Sequence, residues 1–265
     1  MKRFWLISLF ALVANVANAE TIVLDANESP PYWENASQTH GLGGELISAI
    51  SEAAGLDSRI QFMPLKRMID NTTNNDLGNP VFYMENQDFS AIIPIAISQV
   101  ALYRYKPKQP TAIQFKTLKA LQGYRVGALS GTIKNRKLFE QLGIHIETSY
   151  TQESLFKKLH YGRLDFVLEI DLIGQQMIAK LFPTEKNNFV AVELPHSVSP
   201  IAIMLDRNYP NANVIAARYR EGLAKIIKNG RYSEIINRYY EQPPASNRWF
   251  KELNRFTRLY ENLSS

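Results

Sequence analysis

Residues suited to binding a polar ligand occur where predicted strands end. Asp25, Tyr32 and Trp33 follow a first apolar, β-branched run, Thr21–Leu24, and Tyr83 ends a later predicted strand that begins at Val81. Aromatic faces at such positions can cover a ring, a sugar or a cation. These residues therefore indicate a ligand site, although a place in the core is about equally consistent for Tyr83.

A small polar turn offers a second candidate contact. Ser130, Gly131 and Thr132 lie between a predicted strand, Tyr124–Ala128, and a predicted helix, Ile133–Leu142. Free backbone amides and the helix dipole at a helix start favour an anionic or polar group. A plain helix cap is equally consistent with the pattern.

The sequence offers little for catalysis, metal binding or nucleic-acid binding. It has no cysteine, its four histidines lack metal-ligand spacing, and it contains no Gly-x-Ser-x-Gly elbow or Gly-Lys-Ser/Thr phosphate loop. The 30 basic and 25 acidic residues are spread along the chain, which favours a solvated surface over a nucleic-acid patch. We therefore expect no cofactor, no metal and no nucleic acid.

The first 19 residues have the pattern of a cleaved secretion signal. Lys2 and Arg3 precede an apolar run, Phe4–Ala14, and Ala17–Ala19 provides the small residues of a cleavage site. The run is shorter than the about 20 apolar residues that cross a bilayer, and no cysteine follows for a lipid anchor. The pattern predicts a periplasmic protein that starts near Glu20.

Strand and helix signals alternate along the chain, which predicts an α/β fold with mainly parallel sheets. Two proline-containing segments, 106–111 and 194–200, interrupt the alternation. The predicted units are a discontinuous first lobe (20–106 and 201–245), a second lobe (107–200) and a C-terminal helical extension (246–265). Ligands bind outside the carboxyl ends of the strands in open α/β sheets, so the lobes could close on a small molecule by hinge motion near the two segments.

A series of short motifs resembles the periplasmic solute-binding proteins typified by those for polar amino acids (family 3). The motifs are Pro30-Pro31-Tyr32, Gly41 and Gly44 before a helix ending at Gly55, Leu118 to Thr132, Gly162 to Leu168, and Gly230 to Tyr239. The resemblance covers roughly residues 20–242. It implies a type II two-lobe fold with a two-strand hinge and a monomer that closes on a small polar solute without chemistry. The implied partner is the permease of an ABC importer.

The chain departs from this family at the ligand carboxylate. Amino-acid binders place an arginine after a first-lobe strand, because its guanidinium pairs bidentately with a carboxylate. Asn86 stands at that position, and the nearest basic residues that could replace the arginine are Arg67 and Arg104. Free α-amino acids are therefore expected to bind poorly. The ligand should be neutral, cationic, or anionic only where the Ser130–Thr132 turn receives it.

The resemblance also implies an acidic residue that takes a ligand amine after the later Gly-x-x-Asp strand. Glu169 and Asp171 flank that position, and either could serve. Two other functions fit the same fold. One is an enzyme resembling the cyclohexadienyl dehydratases, with Glu85 or Glu169 as general acid, and the other is a soluble sensor subunit for a membrane kinase. The lack of a recognisable nucleophile–base pair favours binding over catalysis.

Overall fold

The computed structural model describes residues 21–71, 73–85, 87–110, 115–133, 136–240 and 246–263. The strands are β1 (Ile22–Ala26), β2 (Ser58–Phe62), β3 (Asp76–Gly78), β4 (Phe89–Tyr105), β5 (Val126–Leu129), β6 (Ile146–Ser149), β7 (Phe166–Ile170) and β8 (Phe189–Asp206). The helices are α1 (Gly41–Ala54), α2 (Leu65–Asp70), α3 (Arg136–Gln141), α4 (Gln152–His160), α5 (Asp171–Leu181), α6 (Ala212–Lys228), α7 (Arg231–Tyr239) and α8 (Ser246–Leu263). The expected secretion signal lies outside these residues. Within them, no helix has the length and apolar character needed to cross a bilayer.

All eight strands belong to one sheet, in the order β2-β1-β3-β8-β4-β7-β5-β6. β1, β2 and β3 are parallel to one another, and so are β5, β6 and β7. β8 pairs in antiparallel fashion with β3 on one side and with β4 on the other, and β4 is also antiparallel to β7. β1 to β3 therefore point in the same direction as β4, and β5 to β7 point in the opposite direction. The carboxyl ends of the two parallel groups therefore point toward each other, which confirms the expected α/β architecture.

The long strands β4 and β8 connect the first lobe, built on β1 to β3, with the second lobe, built on β5 to β7. From Val100 onward, β4 pairs with β7 as well as with β8. At this point β8 has a bulge, in which residues 194–197 lie opposite Val100 alone. The crossing therefore falls at the second expected hinge segment, 194–200. The first expected hinge segment, 106–111, lies beyond this crossing in the chain, and the Lys106 amide donates to Asn188 just before β8. The lobe bounds and the hinge motion stay a prediction.

Helices α1, α6, α7 and α8 cover one continuous apolar core in the first lobe. Gly222 of α6 packs so closely on α1 that a Cβ there would lie 2.4 Å from the carbonyl oxygen of Ile50. The C-terminal extension packs on the same core through its buried side chains, which are Trp249, Leu253, Phe256 and Tyr260. In the second lobe, separate apolar clusters cover the two faces of the sheet.

Two predicted elements differ from those observed. Val81–Tyr83, expected as a strand, begins inside a 3-10 helix, Pro80–Phe82. The physical reason is local: the Asn79 side chain caps the amide of Val81, and proline at the first helical position suits a helical start. α3 is shorter than the predicted helix Ile133–Leu142, and residues 134–135 lie outside the described part.

Candidate functional site

Three side chains join the two lobes where the carboxyl ends of their strands meet. Tyr32, on the loop after β1, donates its hydroxyl to Asp171 Oδ1 at 2.9 Å. Asp171 begins α5 directly after β7, and Tyr240 follows α7 with its hydroxyl 3.2 Å from that of Tyr32. Tyr32 is only 3% exposed. The predicted ligand residues Tyr32 and Asp171 thus meet at the bottom of the inter-lobe cleft.

The Asp171 carboxylate is buried but well supplied with donors. Its Oδ1 also accepts the amide of Leu172 at 2.7 Å, at the start of α5, where the helix dipole favours negative charge. Burial raises the pKa of Asp171 from its usual range, and the donors that oppose that rise are Leu172, Tyr32, the Gln99 main chain and Tyr240. Tyr103 holds the main chain here, because its hydroxyl donates to the Asp171 carbonyl oxygen. Several donors thus fix the Asp171 carboxylate at the junction of the two lobes.

Glu169 lies deeper in the second lobe than Asp171. Its Oε1 accepts the amide of Ile170 at 2.9 Å, whereas Oε2 is buried and finds no partner among the described residues. Burial raises the pKa of Glu169 to about 7. Of the two acidic residues considered from sequence, Asp171 is the one placed at the junction with the first lobe.

Two of the aromatic candidates belong to the core rather than to the cleft surface. Trp33 is buried against α1, where a Cβ on Gly43 would lie 2.4 Å from its ring. Tyr83 is buried too, with its hydroxyl 4.0 Å from the sulfur of Met68. Both side chains are therefore part of the apolar core of the first lobe.

Asp25 is buried as well, beside Asp76, its register partner on β3. Burial raises the pKa of Asp25, while a hydrogen bond from Asn74 and the charges of Arg67 and Arg59 oppose that rise. Asp25 therefore faces the interior of the first lobe, and its expected contact with a ligand stays a prediction.

The basic residues considered as replacements for the missing arginine are placed very differently. Arg67 is exposed on α2, which follows the carboxyl end of β2 and so lies at the cleft side of the first lobe. No carboxylate in the described part of the chain lies within ion-pair distance of it. Arg104 is buried near the outer end of β4, where it donates to the Gln109 carbonyl oxygen, and this place does not suit a ligand clamp. Asn86 lies outside the described residues.

The Ser130–Thr132 turn follows the carboxyl end of β5 and is exposed at the cleft side of the second lobe. The Ser130 amide donates to the Ser149 carbonyl oxygen at 2.8 Å, and the Thr132 hydroxyl donates to the Leu129 carbonyl oxygen at the same distance. Residues 134–135, between this turn and the described part of α3, lie outside the described residues. The position fits a ligand contact, and the expected binding of an anion at the helix start stays a prediction.

Four residues at the cleft were not identified from the sequence. Tyr150 follows β6 and is 92% exposed, while Val81 (52%) and Met84 (43%) follow β3 on the opposite side. Met84 could have been identified, since it directly follows the predicted strand Val81–Tyr83. Val81 and Tyr150 could not, because the strands before them, β3 and β6, were not recognised in the sequence. Tyr240 had no local signal, because its contact with Tyr32 depends on how α7 packs against the first lobe.

The sequence matches no protein-family model and no curated protein. Its structure is similar to solved ones. A histidine kinase sensor domain with similarity to periplasmic binding proteins has a TM-score of 0.61 at 19% identity, covering 85% of this chain and 98% of that one. The chain has the two-lobe periplasmic-binding-protein fold.

Two further structures carry the same fold. The arginine-, lysine-, histidine-binding protein ArtJ from Geobacillus stearothermophilus gives a TM-score of 0.57 at 19% identity, covering 86% of this chain and 99% of that one. The GluR0 ligand-binding core from Nostoc punctiforme, in complex with L-glutamate, gives a TM-score of 0.59 at 16% identity, covering 83% of this chain and 100% of that one. At these identities the likeness establishes the fold alone.

Proposed function

We propose that this protein is exported to the periplasm and binds a small polar solute by closing its two lobes. The observation that carries the proposal is the Tyr32–Asp171 hydrogen bond, which joins the lobes through a buried carboxylate at the bottom of the cleft. Such a contact suits a two-state receptor, because a ligand donor can replace the tyrosine hydroxyl in the closed form.

The ligand class follows from the charge and rim of the cleft. A ligand ammonium would form a charge-assisted hydrogen bond with Asp171, stronger than the one from a neutral hydroxyl. The exposed Val81, Met84 and Tyr150 give both sides of the cleft an apolar rim. We therefore favour an amine-bearing solute with an apolar or ring portion. The binding of arginine, lysine and histidine by ArtJ is in keeping with a cationic group.

In this proposal, the protein is a monomer that delivers the solute to the permease of an ABC importer. The second candidate is presentation of the ligand to a membrane receptor, which the similarity to a histidine kinase sensor domain favours. The two are distinguished by their partners. Cross-linking in intact cells should capture a permease subunit in the first case and a membrane kinase in the second.

An enzyme on the same fold is a further candidate, because one observation favours it. Glu169, buried with a pKa raised to about 7, would be half-protonated at neutral pH, as a general acid requires. The other carboxyl considered for this role, Glu85, is exposed. Incubating the protein with each solute that binds, and following product by mass spectrometry, tests catalysis. Turnover that disappears in Glu169→Gln would replace the binding proposal.

A thermal-shift screen of the mature protein against amines, amino-acid derivatives and neutral metabolites tests the binding proposal. A ligand at about 100 times its Kd should add roughly 2.7 kcal/mol to the free energy of unfolding. For an amine ligand, Asp171→Asn should weaken binding by about 30-fold or more, because the amine loses a buried charged partner. The matched control is Asp165→Asn, which breaks an ion pair with Arg125 away from the cleft. Equal affinity in Asp171→Asn and wild type would refute the assignment.

A further inference from the structure

Beneath α2, the first lobe holds a group of buried oxygen acceptors without donors. They are Asp25 Oδ1, both carboxyl oxygens of Asp76, and Gln87 Oε1, and none of them has a hydrogen-bond partner among the described residues. Asp76 is fully buried on β3, directly beside Asp25 on β1. Buried polar atoms are nearly always paired, so four acceptors together require an explanation.

The orientation of Gln87 is fixed, which excludes the simplest remedy. Its Nε2 donates to the Met68 carbonyl oxygen at 2.9 Å and also to that of Asn71, at the end of α2. Both amide hydrogens are used, so turning the amide over would break two hydrogen bonds. Gln87 is nine-tenths buried, and its side chain lies close enough to Asp76 to lower the pKa of that carboxyl group. The remaining acceptors without a donor among the described residues belong mainly to the two neighbouring carboxyl groups, Asp25 and Asp76.

A proton satisfies this arrangement better than a metal ion does. Ca²⁺ takes six to eight oxygen ligands and Mg²⁺ demands near-ideal octahedral geometry. The described residues contain no group of three or more acidic or histidine side chains able to hold a metal. The charges of Arg59 from β2 and Arg67 from α2 act on Asp25 and oppose a further cation.

The electrostatic surroundings of Asp76 favour its protonated form. Burial raises the pKa of Asp76 to about 8, the negative charges of Asp25 and Asp206, at the end of β8, add to the rise, and the interaction with the Gln87 side chain opposes it. Tyr83 also faces the pair, and burial together with the charges of Asp76 and Asp25 raises the pKa of its phenol. A neutral Asp76 can donate its O–H to Asp25 Oδ1, which pairs one oxygen of each carboxyl group.

We propose that Asp25 and Asp76 share one proton at neutral pH, and that losing this proton in alkaline solution leaves two like charges side by side on β1 and β3. The pair would then make the cleft side of the first lobe sensitive to pH. The folded state holds a proton that the unfolded chain, with an ordinary aspartate, releases above about pH 4. Stability contributed by this proton is therefore full at low pH and falls as pH rises toward 8.

The test compares the pH dependence of unfolding in the wild type and in Asp76→Asn. Across pH 5 to 8 the wild-type unfolding constant should rise more steeply, by up to about tenfold for each pH unit, because the asparagine of the variant cannot lose a proton and its amide can still donate to Asp25. Asp70→Asn, an exposed change at the end of α2, should keep the wild-type profile. Parallel profiles for wild type and Asp76→Asn would overturn the proposal. So would stabilisation of the wild type by Na⁺ or Ca²⁺ at pH 9 that Asp76→Asn abolishes, since this would reveal a cation in place of the proton.

A second measurement on the wild type covers the case in which Asp76→Asn does not fold. NMR of protein labelled with ¹³C at the aspartate carboxyl carbons should show one signal that titrates well above pH 6. Hydrogen exchange of the β1 and β3 amides, corrected for the intrinsic pH effect, should accelerate above pH 8. Titration of every aspartate below pH 5 would overturn the proposal without any variant.

Discussion

The hydroxyl of Tyr32 can be deleted by one conservative change, Tyr32→Phe, which keeps the ring in its place. It donates to Asp171 at 2.9 Å and lies 3.2 Å from the Tyr240 hydroxyl. Hydrogen bonds contribute about 1.5–3 kcal/mol when one partner is charged and about 0.5–1.5 kcal/mol when both are neutral. We therefore expect the free protein to lose roughly 2–4 kcal/mol of unfolding free energy. For a chain of this size that lowers Tm by about 5–15 °C.

The same change should have the opposite effect on an amine ligand. In the wild type the ligand displaces the Tyr32 hydroxyl from Asp171, whereas in Tyr32→Phe the ligand no longer competes with that hydroxyl, and the Leu172 amide and Tyr240 still donate to the carboxylate. Removing a competing hydrogen bond to a charged group should tighten binding by about tenfold or more. Differential scanning fluorimetry measures the stability change, and calorimetric titration with a confirmed ligand measures the affinity.

Tyr83→Phe is the matched control, because Tyr83 is equally buried but its hydroxyl reaches only the Met68 sulfur, at 4.0 Å, in the described part of the chain. It should change stability by less than about 1 kcal/mol and leave affinity unaltered. Two results would refute the idea that the Tyr32 hydroxyl occupies the place of a ligand donor on Asp171. One is a Tyr32→Phe variant with the same Tm as the wild type, and the other is a variant that binds an amine ligand more weakly.

Three further predictions concern other parts of the molecule. Because the pKa of Glu169 is raised to about 7, the folded protein loses stability as pH rises from about 4.5 to 7. At pH 8, Glu169→Gln should therefore be more stable than the wild type, with a free energy of unfolding higher by up to about 3 kcal/mol. An unchanged dependence of stability on pH in this variant would contradict the prediction. Trp249→Ala should cost about 3–5 kcal/mol in a denaturant melt, because Trp249 is buried and donates to Tyr232 at 2.9 Å, while Leu259→Ala on the exposed side of α8 should cost little. Free α-amino acids should bind poorly, because neutral Asn86 cannot neutralise a carboxylate; micromolar calorimetric binding of glutamine would refute this and direct attention to Arg67.

The architecture could be predicted because its signals are local. Short β-branched runs alternating with helical stripes specify strands and helices, and the order of the two kinds of element implies mainly parallel sheets. Tyr32 and Asp171 were also within reach, since each follows a strand at the edge where ligands bind. Val81–Tyr83 shows where such reasoning fails. Its apolar residues look like a strand, but the Asn79–Pro80 start decides in favour of a 3-10 helix.

The rest depended on pairings between distant segments. Asp25 ends up facing Asp76 because β1 and β3 are register partners, and β3 is too short and polar to be recognised as a strand beforehand. Nothing near Tyr240 indicates that its hydroxyl meets Tyr32, since the two residues come together only when α7 docks on α1. Burial then changes the role of a residue: Asp25 has the position of a ligand contact in the sequence and the surroundings of an internal acid in the fold.

The two lobes present opposite charges to the cleft, and they hold them differently. Asp171 is buried and fixed by donors from its own helix and from Tyr32, so it offers a rigid partner to an amine. Arg67 is exposed on a helix that is tied to Gln87 and lies over an acid pair. Each negative charge on that pair attracts Arg67 and so competes with any anionic group of a ligand. We propose that in this arrangement the second lobe determines which cation is accepted, and that the protonation of the first lobe determines how strongly an anion is held beside it.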